Sequence, residues 1–396
     1  MKILMLADVF FPDTIGGAGK VSYHLGLELS QKGHEVHILT RNTGRKLLSH
    51  ERLKRNLYVH RFSSPQKESP YLFFSELKNS YSLAKKISHR VKFDIICIHQ
   101  SMVAVGPLLS GCLKKIPIIC YFHSPWHEEY LIKKLKPSKI DKAVARIMRW
   151  IEKRILFKAS KIIVLSHFMQ NKVLEIHNPQ QRILIIPAGV DLDHFHLLDG
   201  NKTTAKQRSK LPRDKTIFLT VRNLVPRMGL ENLIKAFDKS ETLKEKGLLY
   251  IGGSGFLGYR LKRMVDILNL NNSIRFLGHI HDENLPGIYQ ATDFFTLTTE
   301  KLEGFGLVIL EAMACGTPVL GTPVGAIPEV IGLFDERLIF KGTDWKSIKE
   351  KLEDVIENPD GYKYEPRACR EFVKERFSWR KVADEFEKEA IGLIKG

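Results

Sequence analysis

The chain has 396 residues, 43% of them hydrophobic and 27% charged, which excludes global disorder and leaves room for two domains of ~100–200 residues. Its formal net charge is +18, and the excess is uneven: residues 1–200 hold 31 basic and 16 acidic side chains, a net of +15, against +3 for 201–396. Such a balance points to a polyanion, an anionic membrane surface or an acidic substrate. The five cysteines, Cys97, Cys112, Cys120, Cys315 and Cys369, are scattered and form no CxxC, so neither a disulfide framework nor a zinc site is indicated and a reducing cytosol fits. The apolar run at the N-terminus, Met1 to Ala7, is too short for a signal peptide. The most apolar long stretch, 94–113, is broken by Asp94, His99 and Gln100. The expected location is therefore the cytoplasm, with any membrane contact peripheral and on the inner face.

The elements follow in a regular order. Ile3–Ala7 reads as a buried strand, Lys20–Lys32 as a helix, and Glu35–Thr40 and Leu57–Phe62 as strands. Tyr71–Val91 reads as helix, Phe93–His99 as strand, Val103–Leu113 as helix and Ile116–Phe122 as strand. A long helical region over 128–158 precedes strands at Lys161–Leu165 and Arg182–Ile186. The pattern lapses over 196–214, a polar linker. It restarts with strands at Lys215–Val221, Leu248–Gly252, Ser273–Leu277, Asp293–Thr296 and Pro318–Gly321. Helices alternate with these at Leu230–Lys239, Phe256–Leu268, Asn284–Ala291 and Gly306–Cys315. Strand–helix alternation predicts parallel sheets covered on both faces, in two successive doubly wound domains. Ligands then bind in the loops beyond the carboxyl ends of the strands.

Three such loops carry glycines suited to an anion. Phe11–Gly19 places Gly16 and Gly17 before the first helix, where backbone N–H groups can approach a phosphate or simply turn the chain. Gly253-Ser254-Gly255-Phe256-Leu257-Gly258 is a literal GxGxxG, but no carboxylate ends the next strand to hold a ribose, which argues against a nicotinamide or flavin site. In Glu303-Gly304-Phe305-Gly306-Leu307-Val308-Ile309-Leu310-Glu311, glycines flank a helix start. The amides of Phe305, Gly306 and Leu307 there suit a diphosphate. Glu303 precedes the helix and Glu311 lies more than one turn inside it; a capping acid and an exposed helix Glu would show the same spacing.

The stretch from Glu303 to Ile331, EGFGLVILEAMACGTPVLGTPVGAIPEVI, resembles the donor-site signature of the retaining glycosyltransferases of sequence family four, which have the GT-B fold. The resemblance covers nearly the whole chain. Phe11–Gly19 is similar to the family's N-terminal Gly loop, and Tyr121-Phe122-His123-Ser124 to the strand end whose His lies beside the transferred sugar. Pro187-Ala188-Gly189-Val190-Asp191 is similar to the segment before the linker, Ile251–Gly255 to a Gly turn, and Phe377-Ser378-Trp379 to the start of a C-terminal helix that crosses back. The resemblance implies two Rossmann-like domains facing a cleft. Their bounds would be 1–195 (acceptor side), 196–214 (linker), 215–375 (nucleotide-sugar side) and 376–396 (the returning helix). It implies catalytic roles for His123 and Glu303, donor-sugar contacts at Phe305, Gly306 and Leu307, and a ribose contact at Glu311. Gly253, His279 and Ile280 would line the nucleotide. It further implies a nucleotide-diphosphate sugar as substrate, no cofactor and no dedicated metal.

One motif departs from the family. Where it has Gly-Arg-Leu…Lys-Gly, this chain reads Val221-Arg222-Asn223-Leu224-Val225-Pro226-Arg227-Met228-Gly229. The family Arg falls on Asn223 and the Lys on Met228, yet Arg222 and Arg227 keep the five-residue separation one position earlier. Two guanidiniums can grip a diphosphate, although a one-residue shift on a strand reverses a side chain's face. Asp191-Leu192-Asp193 spells the DxD metal motif of other glycosyltransferases, but it falls in the expected interdomain segment and is discounted.

Residues 131–161 hold 11 basic and two acidic side chains, a net of +9. Val144, Ile147, Ile151 and Ile155 follow helical spacing, so the stretch reads as a basic amphipathic helix, either packed on the core with a solvated face or docked on anionic lipid. The expected acceptor is a hydroxyl, such as that of a membrane-associated glycolipid or cell-surface glycan precursor. Two other classes stay open: a non-catalytic polyanion-binding protein on the same fold, and a sugar-nucleotide epimerase. Nucleic acid is not expected, because only Trp150 and Phe157 interleave the bases.

Overall fold

The structure, a computed structural model, describes residues 1–13, 16–42, 47–64, 72–134, 136–180, 182–197, 204, 206–207 and 211–395. The chain divides into two compact units. One comprises Met1–Leu131, Pro137–Gly189 and Trp379–Gly396; the other comprises Ile132–Lys136 and Val190–Ser378. Much of the linker expected over 196–214 lies outside the described residues, as do Thr14 and Ile15 of the first Gly loop.

The first unit is built on an eight-stranded sheet of β1 (Lys2–Leu6), β2 (Glu35–Asn42), β3 (His50–Lys54), β4 (Leu57–Ser63), β5 (Ile95–Ile98), β6 (Ile118–Phe122), β7 (Lys161–Val164) and β8 (Ile183–Ile185). Their spatial order is β3-β4-β2-β1-β5-β6-β7-β8. The central strand β1 pairs in parallel with β2 and β5, setting Ile3 against Val36 and Ile95. Ile3 to Leu6, Ile95 to Ile98 and Ile118 to Phe122 are buried along their whole length, as strands covered on both faces must be. Helices α1 (Gly17–Gln31), α2 (Leu72–Ser88), α3 (Ser101–Leu109), α4 (Trp126–Ile132), α5 (Lys139–Lys158) and α6 (His167–Ile176) accompany this sheet.

Two corrections apply here. The sheet is not wholly parallel: β3, unforeseen in the sequence, pairs antiparallel with β4 at the edge. Its residues HERLK alternate exposed and intermediate with none buried, so they carry no apolar signal. Instead Arg61 of β4 holds the edge, donating to Glu51 (2.8 Å) and in bidentate fashion to Asp13 (2.6 and 3.1 Å). The helical region expected over 128–158 is two helices. The break falls before Ser138, which forms a capping box with Asp141 and so starts α5 afresh after Pro137.

The face α5 buries also differs from expectation. Ala145, Glu152, Ile155 and Leu156 are its buried residues, whereas Ile147 is 60% exposed. The expected stripe of Val144, Ile147, Ile151 and Ile155 is therefore only partly turned to the core.

The second unit carries a five-stranded parallel sheet of β9 (Thr216–Val221), β10 (Gly247–Gly252), β11 (Ile274–Gly278), β12 (Phe294–Leu297) and β13 (Val319–Gly321), in the order β11-β10-β9-β12-β13. Its helices are α7 (Leu230–Asp238), α8 (Glu241–Lys246), α9 (Gly258–Ile267), α10 (Leu285–Gln290), α11 (Leu307–Ala314), α12 (Ile327–Ile331), α13 (Trp345–Glu357) and α14 (Pro366–Arg376). The C-terminal helix α15 (Trp379–Lys395) belongs to the first unit. There Trp379 stacks on His24 of α1, with ring centroids 5.1 Å apart, and Glu387 meets both Lys32 and His34. Among the described residues no helix is long and apolar enough to cross a membrane.

Both sheets reverse their winding beside a central strand, between β1 and β5 in one and between β9 and β12 in the other. Such switch points open a crevice at the carboxyl ends of the strands, where ligands bind in open α/β sheets.

Candidate functional site

In the second unit the switch point is occupied. Arg222 directly follows β9 and Glu303 lies in the loop after β12; the guanidinium Nη2 of Arg222 donates to the Glu303 carboxylate and lies 2.9 Å from Met228 Sδ. Both side chains are largely buried, at 7% and 12% exposure. Arg227 donates to the Leu302 carbonyl at 2.6 Å, so the two arginines converge on one segment. The loops are joined further by Glu300 N–H to Arg227 O (2.8 Å) and by Thr298 Oγ1 to Met228 O (3.0 Å). Gly229 is needed here: its φ is +66°, and a Cβ would stand 2.0 Å from Thr298 O.

Glu303 is anchored from behind as well. Thr299 Oγ1 donates to its carboxylate (3.2 Å), and Ala326 N–H to its carbonyl (2.9 Å). Burial raises the carboxyl's pKa, but the Arg222 and Arg227 charges and the bonds from Arg222 and Thr299 outweigh it, so Glu303 lies below the usual carboxylate range. It is an ionised acid facing cations, not a proton donor.

The Met at 228, where the family Lys falls, is buried and serves as a surface for Arg222, while Asn223 is exposed. Arg222 thus turns inward to Glu303, and its Nη1 is buried without a hydrogen-bond partner among the described residues. α11 begins at Leu307 with Gly306 as its N-cap in a left-handed conformation, with no side-chain cap and no acid in its first turn. Phe305 is buried against Phe377 (centroids 5.9 Å apart), so only its backbone is offered. Glu311 is buried, not an exposed helix Glu, and accepts from Tyr289 Oη at 3.2 Å.

The GxG turn packs differently from a dinucleotide loop. Gly253 has φ +115°, and a Cβ there would stand 1.9 Å from Arg222 O. Its glycines let the loop after β10 lie on the loop after β9 and so brace Arg222. Gly253 N–H bonds Gly278 O (2.6 Å), Ile280 lies over Gly252, and His279 is exposed. Asp191 accepts from Asp193 N–H (3.1 Å) and His194 N–H (3.0 Å), so this carboxylate shapes a turn.

In the first unit His99 follows β5 and His123 follows β6. His99 Nδ1 and His123 Nε2 are 3.0 Å apart, and both rings stack with Tyr121. Burial lowers His123 to about 3 and holds His99 well below its ordinary value, so both imidazoles are neutral. Behind His99, Cys97 Sγ lies 3.4 Å from Nε2. Nearby in sequence, α4 starts on the buried Glu152 of α5, whose carboxylate accepts from Trp126 N–H (2.6 Å) and His127 Nδ1 (2.6 Å). α1 begins at Gly17 after an extended Gly16, again with no side-chain cap and no first-turn acid.

Sequence reasoning missed Tyr289, Thr299, His99 and Glu152. His99 alone carried a signal, as a polar residue closing an apolar strand run.

Two family models match: "Glycosyltransferase Family 4" over residues 15–194 and "Glycosyl transferases group 1" over 201–376. The chain is 25% identical to N-acetyl-alpha-D-glucosaminyl L-malate synthase of Bacillus anthracis, over 94% of this chain and 93% of that one. Its fold is similar to sucrose-phosphate synthase from Thermosynechococcus elongatus, with a TM-score of 0.85 at 23% identity over 100% and 99% of the two chains. It is also similar to Anabaena HepE in complex with UDP-glucose, with a TM-score of 0.75 at 18% identity over 99% and 100%. Two Rossmann-like units, the Glu303–Glu311 helix start and these matches agree: the chain is a glycosyltransferase of sequence family four, with the GT-B fold.

Proposed function

We propose that the protein moves a sugar from a nucleotide-diphosphate sugar to an acceptor hydroxyl, with retention at the anomeric carbon. The observation that carries this reading is the convergence of Arg222 and Arg227 on the Leu302–Glu303 segment just before the start of α11. Breaking a sugar–phosphate bond leaves charge on the diphosphate, and preorganised positive groups aimed at it supply most of the acceleration. Arg227, the unpartnered Nη1 of Arg222 and the first N–H groups of α11 are such groups. The Gly16–Gly17 start of α1 offers another anion site of the same kind. In this reading these groups meet the diphosphate and no dedicated metal is required.

Glu311, with Tyr289 behind it, is assigned to the ribose, and Gly253, His279 and Ile280 to the nucleotide. Glu303 stays ionised, orients Arg222 and stands beside the donor sugar with Phe305, Gly306 and Leu307. His123, neutral and stacked, contacts the sugar as a hydrogen-bonding group. An ionised Glu303 does not serve as the acid of a glycosidase, which needs a raised pKa. The basic 131–161 stretch supports an acceptor held at a membrane, a glycolipid or glycan precursor. HepE is described with UDP-glucose, which makes UDP sugars the first donors to test.

A thermal-shift screen of nucleoside diphosphates and their sugars tests the donor assignment: stabilisation by none of them favours the non-catalytic alternative. Product analysis with and without acceptor separates transfer from epimerisation, and the anomeric configuration of the product, read by NMR, tests retention.

A further inference from the structure

We infer that the outward face of α5 docks the protein on an anionic lipid bilayer. This deepens the reading of a membrane-held acceptor by naming the surface that meets the lipid.

The helix is amphipathic in an unusual sense: it sends its largest apolar side chains away from the protein. Ile140, Ile147, Trp150 and Phe157 are 76%, 60%, 58% and 68% exposed. They recur at intervals of seven, three and seven residues, which places them along one side of the helix. The core side is made instead of Ala145, Glu152, Ile155 and Leu156. A solvated face would be expected to be polar; four large apolar groups in one exposed row mark an interaction surface.

The charges around the row select the occupant. Lys139, Lys142, Arg146, Arg149, Lys153, Arg154 and Lys158 are all exposed. The two acids of the helix are directed elsewhere: the Asp141 carboxylate accepts from Ser138 N–H and Oγ and from Tyr130 Oη (2.7 Å), and Glu152 is buried beneath α4. The outward face therefore presents bases and apolar groups without a competing carboxylate of its own. A second copy of the chain would oppose like charge to like. A bilayer with anionic headgroups complements both features, the bases at the headgroups and the row at the acyl boundary.

The same helix is tied to the candidate site. Glu152 holds the first N–H group of α4, which begins three residues after His123, and Ser124 Oγ bonds Glu129 within α4 at 2.8 Å. His123 is thus held in one packed block with the docking face.

The test is sedimentation with vesicles of phosphatidylcholine alone or with one third phosphatidylglycerol, at about 0.1 M salt, where exposed charges act over about 10 Å. Wild type is expected to bind the anionic vesicles at least tenfold better than the neutral ones. Ile147→Glu with Trp150→Glu should lower that binding at least tenfold, as should Lys142→Glu with Arg146→Glu. Tyr259→Glu, an exposed apolar site of the second unit, should leave it unchanged. All five substituted residues are exposed, and an unchanged melting temperature verifies folding. The inference is overturned if wild type ignores the anionic vesicles or if the α5 variants bind as wild type does. It is also overturned if the row instead governs a concentration-dependent dimer or retention of RNA. Vesicle binding is read without substrate, so its failure is separable from failure of the transfer assay.

Discussion

The Arg222 guanidinium and the Glu303 carboxylate, 81 residues apart in sequence, form a buried ion pair across the loops that follow β9 and β12. The pair lies at the switch point of the second sheet and leaves one guanidinium nitrogen without a partner among the described residues. Breaking it from either side tests the site.

Glu303→Gln keeps the shape but strands a buried cation. The expected cost is on the order of 3 kcal/mol of stability, as for other broken buried pairs. The turnover number should fall by about 10²–10³-fold, the scale of losing a preorganised electrostatic group. Thermal melting and steady-state kinetics check both; wild-type turnover would remove Glu303 from the catalytic set.

The same pair sets an acid limit. The folded pKa of Glu303 is depressed, so its contribution is complete above the ordinary value of 4.5 and is lost as pH falls through the folded value. Melting curves of wild type and Glu303→Gln should therefore converge below about pH 4.5 and stay parallel above it. A gap independent of pH down to 3 would contradict the ionised assignment.

Histidines add a second acid sensitivity at higher pH. Burial lowers His123 and His60 to about 3, with the neighbouring His37 and His50 adding to the effect at His60. Unfolding lets them protonate near 6.5, so stability is full above that value and is lost as pH falls towards 3. His60→Gln should flatten the decline in melting temperature below about pH 6.5. The rate profile should show no inflection from His123 between about pH 6 and 8, since its ring stays neutral throughout.

Glu311→Ala should weaken nucleoside diphosphate binding by about tenfold, the loss of one or two hydrogen bonds to a charged group. Tyr289→Phe removes the 3.2 Å bond that holds this carboxylate and should have a smaller effect in the same direction. Calorimetric titration reads both. Unchanged affinity in Glu311→Ala would end its ribose assignment.

Asp13 and Arg61 are almost fully buried and bidentate, and Arg61 also carries the edge strand through Glu51. Asp13→Asn should destabilise the first unit by about 3–5 kcal/mol and free the His50–Lys54 strand. Denaturant unfolding and hydrogen exchange of β3 measure the two effects; protection of β3 as in wild type would show that Glu51 suffices.

Much of the fold was legible in the residues. Fully apolar runs such as Ile95–Ile98 and Ile118–Phe122 mark strands buried on both faces, and their alternation with helices marks the parallel sheets. β3 was not legible, because an edge strand held by an ion pair has no need of an apolar pattern. The arginine pair was readable as two cations five apart, but not their common target, which depends on where the loop after β12 returns.

The sequence by itself determined the two α/β domains, the glycine-bearing loops after their strands, the family, and the concentration of charge in the first half. Only the tertiary structure decided which way α5 turns and whom Arg222 meets. Periodicity places residues on a helix relative to one another, but burial depends on the neighbours against which the helix packs. A small residue at 145 and a buried acid at 152 face inward, and that choice leaves Ile147 and Trp150 outside.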